Sequence, residues 1–546
     1  MKVALAQINA SAGDVRGNLA KISEFARRAR GLGAELAVFP EQSLAGYPAL
    51  DLWEERGFVK ENLSALKSLC RDSGEMALLV GFVARNPRRT GKPVCNAAAL
   101  LHRGRVAAIR AKSLLPTYDV FDEARYFEPA ASNPPIRFKG VKLGVTICED
   151  AWAQDRTGER RLYPRDPVRR QVAEGAELLI NLSASPFERG KSARRLKLLS
   201  AHARKAGMPL LYCNMIGGND ELIFDGQSLA FDARGRVAAR GKAFEEDLLL
   251  VDTQALRPLG GPIFLGEIEE VRRALVLGIR DYARKCGFTR VFVGLSGGID
   301  SALTCALAVD ALGAGGVTGV AMPSMYSSRG SLADARALAL NLGIRFLTLP
   351  ISPIFQAYRK TLGKILPAQP EGLAEQNIQA RIRGSLLMAL TNREGGLLLS
   401  TGNKSELAAG YCTLYGDMSG GLAVLADVPK GTVYELSRWI NRGKPVIPQN
   451  SIDKAPSAEL KPNQKDQDDL PPYDVLDSVL TAYVEGRHEP EEIARKGFDR
   501  ALVEDILGRI DRSEYKRRQA PPCLKISPKA FGVGRRMPIA RGSHRR

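Results

Sequence analysis

Across residues 1–253, short apolar runs alternate with stretches whose apolar positions recur every three or four residues. KVALAQI (2–8), ELAVFP (35–40), MALLVGFV (76–83), VKLGVTIC (141–148) and AELLINLS (176–183) are short, rich in Val, Leu and Ile, and read as strands. NLAKISEFARRARGLG (18–33) keeps its apolar residues on one face and reads as a helix. Such alternation predicts α/β layers. The pattern lapses in TQALRPLGGPIF (253–264), which carries Pro and Gly, so a linker is placed over residues 254–266. A helix, EIEEVRRALVLGIRDYARKCG (267–287), opens the second half, and VFVGLS (291–296) is a buried-type strand running into glycines and a new helix. The alternation then resumes, which predicts a second, parallel sheet. Two domains are therefore expected, 1–253 and 267–546. A GxGxxxG run from Gly313 to Gly319 precedes a strand instead of following one and reads as a turn. Residues 451–472, SIDKAPSAELKPNQKDQDDLPP, are expected to form a long mobile loop.

The length, 546 residues, suits two or more domains that each bury a core. No apolar run reaches the ~18 residues of a membrane span, and the opening MKVALAQINASAGDV reads as a first strand rather than a signal peptide. The eight Cys show no CxxC spacing, so neither a disulfide framework nor a zinc site is expected, and a reducing, cytoplasmic location is. The formal charge of +19 gathers at the end: from Arg512 to Arg546 there are eleven Lys and Arg against one acid, Glu514. Such a tail suits a nucleic acid or a polyanionic small molecule, and a solvated basic surface is the plainer reading. No aromatic-plus-basic stacking stretch accompanies it, which counts against nucleic acid. None of the four His stands beside a Cys or Ser in a nucleophile motif, so a nucleophile here would use another base.

Three strand ends carry reactive groups. Glu41 follows AVFP, Lys112 follows VAAIRA, and Cys148 follows KLGVTI and precedes Glu149 and Asp150. A thiol needs a base to become an attacking thiolate. A buried carboxylate can serve, and a nearby ammonium can hold the oxyanion that follows. Singly, each residue has a duller reading: a strand-end Cys is more often a small core residue. The strings FPEQSLAGYP (39–48), KSLLPTYDVFDEARYF (112–127), GVTICED (144–150) and NLSASPF (181–187) change that balance. Together they resemble the nitrilase superfamily, and within it the glutaminase domain of NAD+ synthetases. The resemblance implies an αββα sandwich with Glu41 as base, Lys112 supporting the tetrahedral intermediate and Cys148 acylated. It also implies a second acid at Glu123 and glutamine-binding positions at Tyr118, Glu149, Ser185 and Lys191.

Residues 294–301, GLSGGIDS, lie between a strand and a helix. Adjacent glycines let backbone N–H groups close on an anion, and the helix N-terminus adds its positive end. Ser296 and Ser301 add donors. Asp300 would repel bare phosphate, which suggests a magnesium ion between them. No GxxxxGK[ST] loop is present. The string is similar to the pyrophosphate loop of ATP-pyrophosphatases, with Gly294, Leu295, Ser296, Gly297, Gly298, Ile299, Asp300 and Ser301 as its members. MPSMYSS (322–328), EGLAEQNIQARIRG (371–384), TGNKSELAAGYCTLYGDMSGGL (401–422), DVPK (427–430) and EYKRRQAPP (514–522) narrow the resemblance to NAD+ synthetases.

That resemblance implies a doubly wound, Rossmann-like parallel sheet. It puts Asp300 and Glu406 on magnesium, Thr401, Lys430 and Ser457 on ATP, and Asn377, Arg381, Glu406, Asp417 and Lys516 on the deamido-dinucleotide. The expected cofactor is Mg2+ with ATP, without a bound organic cofactor. The expected partners are glutamine, ATP and deamido-NAD+ in a homo-oligomer, with no nucleic acid and no membrane. Arg535 and Arg536 are candidates for a subunit contact, and truncation after Gly534 is expected to be mild. A different acceptor, such as another carboxylate or a tRNA base, would keep both domain assignments. A basic RNA-binding protein with a decayed enzyme core is the alternative from another class.

Overall fold

Val3 and Leu5 project from one face of the first strand and Ala4 and Ala6 from the other, and all four are fully buried. A strand apolar on both faces must be covered on both sides, and that requirement shapes the first unit. A computed structural model describes residues 1–154, 156–157, 160–260, 264–365 and 372–540. The chain divides into two units, Met1–Leu265 and Gly266–Arg546.

The first unit runs β1 (Lys2–Gln7), α1 (Val15–Gly31), β2 (Leu36–Val38), α2 (Arg56–Asp72), β3 (Ala77–Arg85), β4 (Val94–His102), β5 (Arg105–Ala111), β6 (Ile136–Phe138) and β7 (Val141–Ile147). A short pair follows, β8 (Arg156–Thr157) and β9 (Arg160–Arg161), then α3 (Pro167–Ala173), β10 (Leu178–Ser183), α4 (Lys191–Ala206) and β11 (Leu210–Asn214). The unit closes with β12 (Ile216–Asn219), β13 (Leu222–Asp225), β14 (Leu229–Phe231), β15 (Val237–Arg240) and β16 (Asp247–Asp252). One sheet has the order β16-β1-β2-β3-β4-β5 and the other β15-β14-β11-β10-β7-β6. Val3, Leu5, Val38 and Leu79 of the first pack with Val145, Ile180, Leu182 and Leu211 of the second. On its outer face the first sheet receives Ile22, Phe25, Leu66 and Leu69 of α1 and α2, and the second receives Leu199 and Ala203 of α4. The result is the expected αββα sandwich. Helix α1 begins three residues before its expected start, because the Asp14 carboxylate caps it by accepting from Gly17 N–H.

Among the described residues no helix or strand lies between Asp252 and Glu267, the stretch expected as linker. Its residues 261–263 lie outside the described set.

The second unit opens with α5 (Glu267–Lys285), β17 (Val291–Gly294), α6 (Ile299–Leu312), β18 (Val317–Ala321), α7 (Arg329–Leu342), β19 (Arg345–Thr348), α8 (Ser352–Leu362), α9 (Leu373–Glu394), β20 (Leu397–Ser400), α10 (Lys404–Ala409), β21 (Leu422–Ala423) and α11 (Lys430–Ile440). All pairs in its sheet, ordered β19-β18-β17-β20-β21, are parallel. The first strand thus sits in the middle, and the chain winds outward from it in both directions. Such a switch point leaves a crevice at the carboxyl ends of the central strands. α8 and α9 cover one face through Phe355, Ile378, Ile382 and Leu387. The remaining helices are α12 (Gln449–Asp453), α13 (Tyr473–Leu480), α14 (Pro490–Ala494), α15 (Arg500–Arg512) and α16 (Glu514–Arg517).

Two expectations are corrected. The Pro-, Lys- and Asp-rich stretch is largely irregular but packed: Ser451 Oγ donates to the Gly297 carbonyl at 2.9 Å, Lys454 Nζ pairs with Asp334 at 3.1 Å, and Gln464, Asp466 and Leu470 are buried. Its prolines and charges follow a packed path. The basic tail is not simply a solvated surface either. Arg517 is buried and donates to the carbonyls of Leu407 and Ala408 at the end of α10, where a cation completes otherwise unmatched carbonyls. Arg535 is buried as well, 3.2 Å from Glu514 and stacked near Tyr483 and Phe531, so it serves this unit's own core and is not held out as a surface contact. The last six residues, 541–546, lie outside the described set. Truncation after Gly534 should therefore not be mild. Arg535→Ala alone is expected to lower stability by about 1.5–3 kcal/mol, the usual worth of a hydrogen bond to a charged group, read as a lower unfolding temperature by calorimetry. An unchanged temperature would return Arg535 to the surface.

Candidate active sites

In the first unit, β2, β5 and β7 deliver Glu41, Lys112 and Cys148 to one buried place. Lys112 Nζ lies 2.8 Å from Glu41 Oε1 and 2.7 Å from Glu123 Oε1. Lys112 and Glu41 are 1% exposed and Glu123 is 4% exposed, so the ammonium and both carboxylates satisfy each other without water. Asn96 Nδ2 donates to Glu41 at 2.7 Å, Ala184 N–H to the other Glu41 oxygen at 2.9 Å, and Tyr47 Oη to Glu123 at 3.0 Å. Cys148 begins a short 3-10 helix at φ 39, a left-handed conformation that costs a non-glycine residue roughly 1–2 kcal/mol. Asp150 pins that turn by accepting from Ile147, Ser113 and Leu114 N–H, which ties the Cys148 turn to the residues after Lys112.

Burial pushes the Cys148 thiol well above its ordinary range, and the Glu41 carboxylate adds to the effect while Lys112 opposes it. The resting thiol therefore keeps its proton. Burial raises Glu123 to about 7 despite Lys112. For Lys112, burial disfavours the charge, but Glu123 and Glu41 outweigh it and hold the ammonium protonated. A protonated thiol, a carboxylate beside it and a fixed cation are the parts needed for base-assisted acyl transfer.

The expected glutamine-side residues surround this centre. Glu149 accepts from Tyr118 Oη at 3.0 Å and from Tyr163 Oη at 2.9 Å. Ser185 follows β10 and is buried. Lys191 starts α4 with its ammonium 5.7 Å from the Trp152 ring centroid. Sequence reading missed Tyr47, Asn96 and Tyr163. Asn96 was discoverable, because a lone amide inside the apolar strand VCNAAALLH needs a polar partner.

In the second unit, the loop from Gly294 through Leu295 to Ser301 leaves the central strand at the crevice. Gly297 has φ +78, and a Cβ there would stand 2.2 Å from the Ser331 carbonyl oxygen, so only glycine fits. Ser301 Oγ donates to the Gly298 carbonyl at 3.0 Å and lies 3.2 Å from Ser296 Oγ, while Ile299 opens α6. Asp300 accepts from Lys430 Nζ at 2.5 Å and from Asn403 Nδ2 at 2.8 Å, and Glu406 lies 3.4 Å from the same ammonium. Burial, reinforced by Asp300, pushes Glu406 up to about 8. Thr401 and Ser457 line the crevice with Ser296, Asp300, Glu406, Asp417 and Lys430.

Asn377, Arg381 and Lys516 grip the turn beside the crevice. Asn377 accepts from Thr413 Oγ1 at 2.8 Å, Arg381 Nε donates to the Leu414 carbonyl at 3.2 Å, and Lys516 Nζ donates to the Gly410 and Cys412 carbonyls at 2.7 and 2.8 Å. Asp417, which accepts from Thr413 N–H at 2.7 Å, is the member of this group that faces the crevice. Asp466 and Lys454 also line it, half-buried Arg383 lines the pocket adjoining it, and none of the three was anticipated. The first two lie in the stretch taken for a mobile loop, and Arg383 looks like one more cation on an amphipathic helix.

Two families of known proteins share these parts. Residues 2–257 match the family described as carbon-nitrogen hydrolase and residues 271–520 the one described as NAD synthase, so the fold and sites define an amide-cleaving hydrolase joined to an NAD synthase. A glutamine-dependent NAD(+) synthetase from Synechocystis is 48% identical over 99% of both chains, and one from Thermotoga maritima is 43% identical over 99% of this chain and 98% of its own. The structure of the Acinetobacter baumannii glutamine-dependent NAD+ synthetase in complex with ADP superposes with a TM-score of 0.78 at 39% identity, covering 98% of each chain. This chain belongs to the glutamine-dependent NAD+ synthetase family. Among the described residues no helix is long and apolar enough to cross a membrane.

Two substitutions test the geometry. Glu41→Gln removes a negative charge that helps keep the proton on Cys148. The pH midpoint for alkylation of Cys148 by iodoacetamide should fall, while glutamine hydrolysis drops by ~10²-fold or more for loss of the base. An unmoved midpoint, or persistent hydrolysis, would take Glu41 out of that role. Gly297→Ala should weaken ATP binding by about tenfold or more, because a Cβ 2.2 Å from the Ser331 carbonyl oxygen forces the loop out of the shape that meets the phosphates. ATP binding by calorimetry that matches the parent enzyme would refute the close approach to Ser331.

Proposed function

We propose that the first unit hydrolyses glutamine through Cys148 and that the second uses ATP to place the freed ammonia on the carboxylate of deamido-NAD+. The observation that carries this reading is the presence, on one chain, of the Glu41–Lys112–Glu123 network beside Cys148 and of the Asp300–Lys430–Glu406 cluster beside the glycine loop.

In the first reaction Glu41 takes the thiol proton as sulfur attacks the side-chain carbonyl carbon of glutamine. Lys112 faces the oxyanion of the tetrahedral intermediate, where a fixed cation in a dry site is most effective. The intermediate collapses with loss of NH3, its nitrogen taking the proton back from Glu41, and leaves a thioester on Cys148. Water, deprotonated by Glu41, then attacks the thioester carbon; the C–S bond breaks, the Cys148 sulfur takes the proton from Glu41, and glutamate is released. Glu149 and Tyr118, with Ser185 and Lys191 opposite, hold the amino acid end of glutamine.

In the second reaction an oxygen of the nicotinate carboxylate attacks the α-phosphorus of ATP and pyrophosphate leaves. Ammonia then attacks the acyl carbon, AMP departs, and the amide is NAD+. The backbone N–H groups of 296–298 with Ser296 and Ser301 cradle the phosphates, and Lys430 meets the charge that builds on them. Thr401 and Ser457 contact the nucleotide. Asp417 faces the dinucleotide, with Asn377, Arg381 and Lys516 fixing the turn against which it lies. Asp300 and Glu406 fit a magnesium ion: both reach one ammonium, so they can share a cation, and their hard oxygens suit it. Bound there, the ion would draw charge from the phosphates of ATP and pyrophosphate. The cytoplasm, with its glutamine and ATP, is the proposed location.

Cys148→Ala is expected to abolish NAD+ formation from glutamine and to leave formation from ammonium within about twofold of the parent enzyme, because the two reactions use separate groups. Loss of both activities together would overturn this division of labour, and loss of neither would move the nucleophile elsewhere.

A further inference from the structure

Behind the first site lies an ion pair that neither acyl transfer nor glutamine contact uses. Arg195, one turn after Lys191 in α4, and Asp225, at the end of β13, are each 1% exposed. Arg195 Nη1 donates to Asp225 Oδ1 at 3.0 Å and Nη2 donates to Oδ2 at 2.5 Å, while the guanidinium lies 5.5 Å from the Tyr212 ring centroid. This paired fork fixes the plane of the carboxylate as no single contact would.

From Asp225, which also accepts from Gln227 Nε2 at 3.0 Å, contacts run toward the first site in two directions. Asn214 Nδ2 donates to Asp225 Oδ1 at 3.1 Å and to the Gly226 carbonyl at 3.0 Å. Its Oδ1 accepts from Ser185 N–H at 3.0 Å, and the neighbouring N–H, on Ala184, is the one that donates to Glu41. In the other direction Ser192 Oγ reaches Asp225 Oδ2 at 3.5 Å from the residue next to Lys191. The chain enters α4 through Gly190 at φ 80, so the position of Lys191 depends on what holds the helix's first turn.

Hydrogen-bond chemistry gives this arrangement a direction. An ionised carboxylate only accepts, so the amide of Asn214 must turn its nitrogen to Asp225 and its oxygen to Ser185 N–H. Fully buried, that amide has no water to stabilise the flipped orientation. We propose that Asp225, locked by Arg195 and acting through Asn214, is a positioning residue for glutamine. It sets the separation of the Ser185 turn from the first turn of α4, and so the spacing of the groups that grip the amino acid end of the substrate. This inference rests on the assignment of Ser185 and Lys191 to glutamine, made above.

The test is steady-state kinetics on the full-length enzyme with glutamine or ammonium as nitrogen donor, for Asn214→Ala, Asp225→Asn and Arg195→Lys, with Lys191→Ala as reference. Asn214→Ala and Asp225→Asn should raise the glutamine KM about tenfold or more while kcat stays within about threefold, the signature of lost substrate positioning. Arg195→Lys, which keeps the cation but loses the fork, should give a smaller rise. Ammonium-driven synthesis should be unchanged in Asn214→Ala, Asp225→Asn and Arg195→Lys. Asp225→Asn leaves a buried guanidinium without its partner charge, and if that variant does not fold, Asn214→Ala, which alters no charge, carries the test alone. A raised KM in Lys191→Ala with a normal KM in Asn214→Ala overturns the relay and leaves the glutamine assignment standing. A normal KM in Lys191→Ala overturns the assignment and the relay with it. A lower kcat and a lower unfolding temperature with normal KM in Asn214→Ala would reduce the network to a structural one.

Discussion

A lysine ammonium shared by two carboxylates organises each of the two sites. Lys112 lies between Glu41 and Glu123, and Lys430 between Asp300 and Glu406. Two carboxylates brought close in a water-poor setting repel each other, and each must also give up its hydration. One cation relieves both problems and ties three parts of the chain together. In the first unit it joins the ends of β2 and β5 to the 3-10 turn at Glu123. In the second it joins the starts of α6, α10 and α11. The surrounding folds are what make such an arrangement possible, because parallel strands and helix N-termini converge where the charges sit.

The sites differ in how that cation meets its task. Lys112 sits among buried groups and has little room to move, which suits the stabilisation of an oxyanion that exists only briefly. Lys430 is equally buried but borders a crevice, where, in the proposed reaction, phosphates would offer it new partners. In the proposed reactions the same three-charge motif acts as fixed electrostatics in one unit and as an exchangeable contact in the other.

The αββα and parallel-sheet architectures were legible because strands buried on both faces read as continuous apolar runs, and helices such as residues 18–33 carry a clear stripe. Glu41, Lys112, Cys148 and the 294–301 loop were picked out by the family resemblance of the strings around them, and the structure brings Lys112 within 2.8 Å of Glu41 at two strand ends. Tyr47 and Arg383 were hidden, since their roles depend on partners 76 and 61 positions away, Glu123 for Tyr47 and the Met322 carbonyl for Arg383. Residues 451–472 misled for a related reason. Proline and charge mark irregular backbone, but irregular backbone packs well when single contacts such as Ser451 to Gly297 anchor it. The basic tail misled because cations that cap helix carbonyls look, in a sequence, like cations in solvent.

Helix α10 shows what that capping implies. It is only six residues long, yet Asn403 at its start reaches Asp300, Lys404 is buried against Asp427 and Glu485, and Glu406 faces Lys430. Its far end is closed by Arg517 and Lys516. One added or deleted residue would turn everything beyond it by ~100° and shift it by ~1.5 Å, so no partner at the opposite end could be kept. Point changes here can be absorbed one contact at a time, whereas changes of length cannot. Related sequences should therefore drift in composition along this helix while holding its register, and the distance in sequence from Thr401 to Gly410 should be among the least negotiable lengths in the chain.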